Sequence, residues 1–211
     1  MSSTIRRPGG RLAAAPMVTT KDLRRAGFPF RSGTLCLDFV ATLAKRGMGD
    51  RELLGGPAEF ATWLRAAELP ATPNPVTQDD LERIIVLREA IHELTRARVD
   101  QRDPAGDAVE MVNDVARTGT PASLMSPDGR ILLAPEASPL EEILAIVARD
   151  TVGLFTGRYG NRIRACIGHD CSLYFVDRSR PGSRRWCAMA ACGEKASSAT
   201  YRQRHTGTTQ G

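Results

Sequence analysis

Residues 166–192 read CIGHDCSLYFVDRSRPGSRRWCAMAAC and place Cys166, Cys171, Cys187 and Cys192 in a C-x4-C-x15-C-x4-C pattern. Two equally spaced pairs joined by a short loop supply four soft thiolates, which Zn²⁺ takes tetrahedrally at roughly 2.3 Å per sulfur. A zinc ion with all four positions filled by protein is structural, because no position stays open for substrate. Paired disulfides would suit a secreted protein, and nothing in the chain suggests secretion. Redox chemistry prefers a C-x-x-C pair at a helix start, whereas both pairs here enclose four residues. An iron–sulfur cluster is the other remaining chemistry. His169 lies inside the first pair, either as a substitute ligand or on the knuckle turn with Gly168 and Asp170. The segment therefore reads as a zinc-nucleated module, the metal standing in for a core that about forty residues cannot build alone.

Charge is concentrated in the same place. Between Arg162 and Arg204 there are nine Arg or Lys and three acids, whereas the rest of the chain carries twenty basic and twenty-one acidic side chains. The net +5 of the 211-residue chain therefore originates in the cysteine segment. Four thiolates on one Zn²⁺ subtract a formal two charges and leave a cationic surface, which points to an anionic partner, with nucleic acid first. The competing reading is a solvated arginine-rich face, since the chain has only three lysines, Lys21, Lys45 and Lys195.

Upstream, apolar spacing predicts helices. Leu35, Leu37, Phe39, Val40 and Leu43 fit a buried helix over 33–46, and 47–56 reads as a loop. Pro57 suits the first turn of a helix bearing Phe60, Trp63 and Leu64 on one side. Pro70, Pro73 and Pro75 make a connector, after which Thr77 caps the longest helix, with Leu81, Ile84, Ile85, Arg88, Ile91, His92 and Leu94 at helical spacing. A shorter helix covers about 107–117. A β-hairpin is expected from Ser123–Met125 and Ile131–Leu133 around Pro127-Asp128-Gly129. Ser138-Pro139-Leu140-Glu141 reads as a capping box opening a further helix that ends near Gly157. In the metal segment, Leu173–Val176 is a strand candidate, 177–183 a turn and 184–186 a return towards the metal, with a helix from about Ala188 delivering Cys192. The expected fold class is α+β, mostly α: an N-terminal helical domain (31–158) with a small β-hairpin, then a treble-clef-like zinc finger (161–205). Residues 1–30 and 206–211 are expected as disordered tails.

The finger segment resembles the CGNR zinc-finger family, on Cys166-x4-Cys171, Phe175-x-Asp177-x-Ser179, Arg184-Arg185-Trp186-Cys187 and Cys192-Gly193. Leu35-Cys36-Leu37-Asp38-Phe39-Val40-Ala41-Thr42-Leu43 looks like the Leu-Asp-Phe-x-Asn-Thr signature of the ABATE-type domain that precedes this finger, and Pro57 to Leu69 looks like that domain's second helix. The resemblance implies a bacterial transcription regulator with structural Zn²⁺ on Cys166, Cys171, Cys187 and Cys192 and a finger proposed to touch DNA. The sequence departs from the pattern where Glu194-Lys195 replaces Asn-Arg after Cys192-Gly193, where the following helix carries few cations, and where Ala41 replaces Asn. Glu194 repels phosphate, which weakens the DNA inference without touching the zinc site.

Two functions compete. In the first, a DNA-binding regulator contacts phosphates through Arg178, Arg180, Arg184, Arg185, Lys195, Arg202 and Arg204, while the N-terminal domain senses a ligand or mediates assembly. In the second, zinc braces a protein-interaction or homo-oligomerisation module that binds no DNA. No nucleophile elbow, P-loop or dinucleotide motif is found, so no enzyme is expected. Asp38 is the odd carboxylate of an apolar helix. It reads as the partner of an arginine or a helix-end amide, or else as part of a ligand pocket with Phe39 and Trp63. Trp186 either packs over the metal or stacks on a base, and Cys36 reads as a core residue. No apolar run reaches the roughly 18 residues that cross a bilayer, and the chain is expected in the cytoplasm without a membrane partner.

Overall fold

The computed structural model describes residues 24–119, 124–125, 131–132 and 138–198. In chain order its first half holds β1 (Arg24–Arg25), β2 (Phe28–Pro29), α1 (Leu35–Val40), β3 (Leu43–Ala44), β4 (Arg51–Glu52), α2 (Pro57–Ala66) and α3 (Gln78–Val99). There follow α4 (Gly106–Arg117), β5 (Leu124–Met125), β6 (Ile131–Leu132), α5 (Leu140–Thr156), β7 (Ile163–Ala165), β8 (Tyr174–Val176) and a wide π-type turn at Met189–Gly193. Every strand pair among the described residues is antiparallel and two-stranded, so the protein is mostly helical with small β elements.

The central helix, α3, starts as its sequence requires. The Thr77 hydroxyl accepts from the Asp80 amide at 3.1 Å, and the Asp80 carboxylate accepts from the Thr77 amide at 3.0 Å, a reciprocal capping box. Its inward face buries Leu81, Ile84, Leu87, Ile91 and Leu94. α2 begins with Pro57 and buries Phe60, Trp63 and Leu64, with the Trp63 ring 5.1 Å from that of Phe39 on α1. α5 lies along α1 and α4, burying Leu140, Ile143, Leu144, Val147 and Leu154. The expected hairpin is present, with Leu124 opposite Leu132 and Met125 opposite Ile131.

Four local expectations are redrawn by the structure. α1 is six residues long rather than spanning 33–46, because the Thr42 hydroxyl and amide both turn back onto the Phe39 carbonyl (2.7 and 3.1 Å). Beyond it, Leu43 pairs with Glu52 and Ala44 with Arg51, so the expected loop contains β4. At α5 the Ser138 hydroxyl does not cap. Its amide donates to the Ala71 carbonyl at 2.9 Å, its side chain is buried, and Pro139 is the residue before the helix. Residues 24–29, assigned from sequence to the N-terminal tail, form the β1–β2 hairpin with Phe28 buried in the main core.

One amide in the first turn of α1 finds its acceptor far away in sequence: that of Cys36 donates to the Asp150 carboxylate of α5 at 2.8 Å. Cys36 is wholly buried, and burial followed by the nearby Asp150 charge pushes its thiol well up. Asp38 accepts from the Arg31 and Ser32 amides on one oxygen, both at 3.1 Å, so its partners are loop amides ahead of α1 rather than an arginine or a helix-end amide. Burial raises its carboxyl to about 6 despite those bonds. His92, on α3, is driven the other way, to about 4, first by desolvation and then by the Arg46 charge.

These two shifts have opposite linkage. Between pH 4 and 6 folded Asp38 holds a proton that the unfolded chain releases, so its contribution falls as pH rises, by at most about 3 kcal/mol over the window. His92 is neutral when folded and charged when unfolded over the same range, so its contribution rises with pH. The wild-type melting temperature is therefore expected to be nearly flat from pH 4.5 to 6. Asp38→Asn removes the falling component, and its melting temperature should climb with pH. Parallel curves for the two proteins in calorimetry would contradict this account.

Candidate metal centre and basic surface

The four cysteines converge. Their sulfur atoms all lie within 4.8 Å of one another, with Cys187 3.8 Å from Cys171 and 3.7 Å from Cys192. Four sulfurs at about 2.3 Å from a common centre are separated by about 3.8 Å along the edges of a tetrahedron, so the cluster has the dimensions of a Zn–Cys₄ site. The Cys166 sulfur also accepts from the Gly168 amide at 3.5 Å and the Cys187 amide at 3.4 Å, bonds that stabilise a thiolate. His169 is exposed on the knuckle and is not among the clustered donors.

Without a cation four thiolates repel, so protons are shared unevenly. Hydrogen bonds from the Cys171 and Cys187 thiols, aided by the two amides, hold Cys166 far below an ordinary thiol, at about 2. The neighbouring Cys166 sulfur pushes Cys171 up to about 12 and moves Cys187 in the same direction. A divalent cation removes this conflict by accepting every sulfur as thiolate, and its binding releases protons.

Local structure brings the sulfurs together in a different way from the expected layout. The strand partner of β8 is β7, which precedes the first cysteine: Ile163 faces Val176, Arg164 faces Phe175 and Ala165 faces Tyr174. The first pair of cysteines thus sits in the turn of that hairpin, where the Cys171 amide donates to the Gly168 carbonyl at 3.1 Å. Residues 184–186 return to the metal without strand pairing, and Asp177 holds the intervening loop. Its buried carboxylate accepts from the Ser179 amide and hydroxyl on one oxygen (2.9 and 2.6 Å) and from the Arg184 amide on the other (2.9 Å). Burial pushes this carboxyl up, but these bonds and the Arg184 charge outweigh it and leave it below the usual range. The Asp-x-Ser spacing was the available sequence signal for such a turn.

Gly168 is required sterically. A Cβ at this position would lie 3.0 Å from both the Cβ and the sulfur of Cys192 and 3.3 Å from Cys171 Cβ. Gly168→Ala should displace Cys192 by a few tenths of an ångström and weaken zinc binding by at least tenfold in a chelator competition. Unchanged zinc affinity would show that the knuckle relaxes freely.

With this geometry in hand, residues 33–158 match the ABATE family, described as "Putative stress-induced transcription regulator". The chain belongs to this family. Residues 162–205 match the CGNR zinc finger, so the ABATE domain and finger follow one another in that order. No curated protein matches the chain. The cysteine cluster is the structural zinc site of the finger. Among the described residues, no helix is long and apolar enough to cross a membrane.

The ABATE domain and the finger share a core. Ile163 and Val176 belong to the main cluster of buried residues, and Ala41 of the ABATE domain packs with Phe175 and the metal-binding cysteines. The Val176 amide donates to the Ser32 carbonyl at 2.8 Å, the Arg46 amide to the Ser172 hydroxyl at 2.9 Å, and Lys45 pairs with Asp170 at 3.0 Å. This seam has no short-range signal in the sequence.

It also redistributes the arginines singled out for nucleic acid. Arg178 donates to the Gly33 carbonyl at 2.8 Å and lies over the Tyr159 ring. Arg184 donates to the Cys187 carbonyl at 2.7 Å and covers the Phe175 ring. Both are exposed at the surface yet engaged in holding the finger. Arg185 lies over Trp186, which is half-buried against the thiol cluster. Arg180 and Lys195 are exposed, as is Glu194. Arg202 and Arg204 fall outside the described residues. Phe39 and Trp63 are wholly buried against each other, and Asp38 is taken up by backbone amides. Those three positions are packed as core rather than grouped around an opening.

Proposed function

We propose that this protein is a zinc-finger DNA-binding regulator whose finger contacts the phosphate backbone while the ABATE domain senses a ligand or mediates assembly. The observation that carries the reading is the exposed pair Arg180 and Arg185 on the loop of a metal-braced finger, within a segment that holds the chain's whole positive surplus. The match to a regulator family supports it. Arg178 and Arg184 act first as structural cations, so the number of phosphates neutralised is small. Retention of genomic fragments should fall with salt at a log–log slope of about −2 to −4, which corresponds to roughly two to four phosphate contacts. Arg180→Gln with Arg185→Gln should make that slope shallower by about two. A slope near zero in the wild type, or no retention at low salt, would overturn the proposal.

A second reading draws on the shared core. With Ile163 and Val176 buried in the ABATE core, the finger also serves as a brace for the helical domain, and its free face can take a protein partner or a second copy of the chain. Under that reading Arg180→Gln with Arg185→Gln alters the mass in solution and leaves DNA retention unchanged.

A further inference from the structure

A cleft of about 390 Å³ lies on the seam between the N-terminal hairpins and the finger. We propose that it binds a phosphoryl group, at a site separate from the Arg180–Arg185 loop. Arg24 of β1, Arg31, Lys45, Arg51 of β4 and Lys195 line it, against Asp170 as the one carboxylate of the lining. Cys171 and Cys192 form part of its wall, so the zinc centre contributes a formal charge of minus two when four thiolates are bound. The cations still outnumber all negative charge at the site.

Such convergence of like charges is unfavourable in an empty cleft and becomes favourable around an anion. Asp170 pairs with Lys45 at 3.0 Å and also feels the Lys195 charge. The Nε atom of Arg31, a residue of the lining, is buried and has no hydrogen-bond partner among the described residues. Arginine and lysine together suit a phosphoryl group, the guanidinium as a planar fork and the ammonium as a point charge. Four of the five cations precede the finger in sequence and one, Lys195, belongs to it, so an anion here clamps the two parts together. The phosphoryl group can come from a nucleic-acid backbone or from a small phosphorylated molecule.

Inorganic phosphate is the probe, titrated into the zinc-loaded full chain at constant ionic strength and followed by calorimetry. Saturable binding is expected in the wild type, weakened at least tenfold in Arg31→Gln and in Arg51→Gln. General stabilisation of folded protein by phosphate is the same in all three and cancels. Zinc content and circular dichroism check the variants. If Arg31→Gln loses its metal, Arg51→Gln decides, because Arg51 is exposed and lies on a hairpin. Absence of saturable binding in the wild type, or equal binding in Arg51→Gln, overturns the site. DNA retention identifies the source. Loss of retention in Arg51→Gln, with phosphate competing against DNA in the wild type, supports a backbone phosphodiester. Unchanged retention with phosphate binding lost supports a small phosphorylated molecule. If the wild type retains no DNA but binds phosphate in an Arg51-dependent way, the regulator reading fails and the phosphoryl site stands.

Discussion

Cys187→Ser is expected to lose its zinc and to unfold the finger while most of the helical signal survives. The Cys187 sulfur is buried and sits 3.7–3.8 Å from two of its partners, so it occupies a shared vertex of the tetrahedron. A serine hydroxyl neither reaches the metal at thiolate distance nor ionises there. Structural zinc supplies about 10–16 kcal/mol of apparent folding free energy in isolated fingers, more than the whole reserve of many domains. Without it the cluster of Leu173, Phe175 and Trp186 has too little apolar area to hold together. The helices keep their own core around Phe39, Trp63, Ile84 and Ile143, but the cover provided by Ile163 and Val176 is lost. The melting temperature should therefore fall, Trp186 emission should shift to the red, and ellipticity at 222 nm should drop only slightly. A Cys187→Ser protein that still carries one zinc per chain and melts with the wild type would refute this assignment.

Arg88→Ala is expected to cost about 3 kcal/mol in urea denaturation, the lower end of the range for removing one partner of a buried ion pair. Arg88 lies on the inward face of α3 and is 2% exposed. Its guanidinium donates to Glu52 at 2.7 Å, to Glu89 at 2.9 Å and to the Thr42 hydroxyl at 3.3 Å, while Arg46 holds Glu89 from the other side at 2.7 and 3.0 Å. The β3–β4 hairpin is thus tied to α3 through the buried Arg88 and, from its own turn, through Arg46. Deleting it leaves a cavity and two carboxylates that are partly exposed and can rehydrate, which sets the low-end value. Arg88→Met restores the volume and should recover part of the loss. Burial raises Glu52 and Glu89, yet their arginine partners hold both below the usual range, so the pairing stabilises fully above the ordinary glutamate range and is lost as pH falls through the lowered values. Arg88→Ala should flatten that acid limb. An alanine variant within 1 kcal/mol of wild type would show that the network contributes little.

Much of the helical layout was legible because it depends on neighbours in sequence. Thr77 and Asp80 carry their capping box within one turn, and Phe60, Trp63 and Leu64 repeat at the period of the helix they bury. Where a local pattern competed with a distant partner, the distant partner prevailed. Ser138 has the spacing of a cap, but the Ala71 carbonyl takes its amide and its hydroxyl is buried without capping. Thr42 ends α1 early, and its carbonyl then accepts from Leu53 across the hairpin. Arg88 stood in the apolar register of α3, yet two of its three acceptors, Glu52 and Thr42, come from another part of the chain.

The metal centre and the arginines mark the division. C-x4-C-x15-C-x4-C determined by itself that four thiolates meet at a zinc-sized tetrahedron, because each pair is closed by a short turn and sulfur selects the metal. The arginines nearby could be counted from sequence but not assigned. Only the tertiary structure decided that Arg178 reaches the Gly33 carbonyl 145 residues away, that Arg184 covers Phe175, and that Arg31 and Arg51 join Lys195 around a common cleft. A long cation takes whichever acceptors packing brings within reach, and packing across the seam between helices and finger is set by apolar burial, which leaves no short-range pattern in the chain.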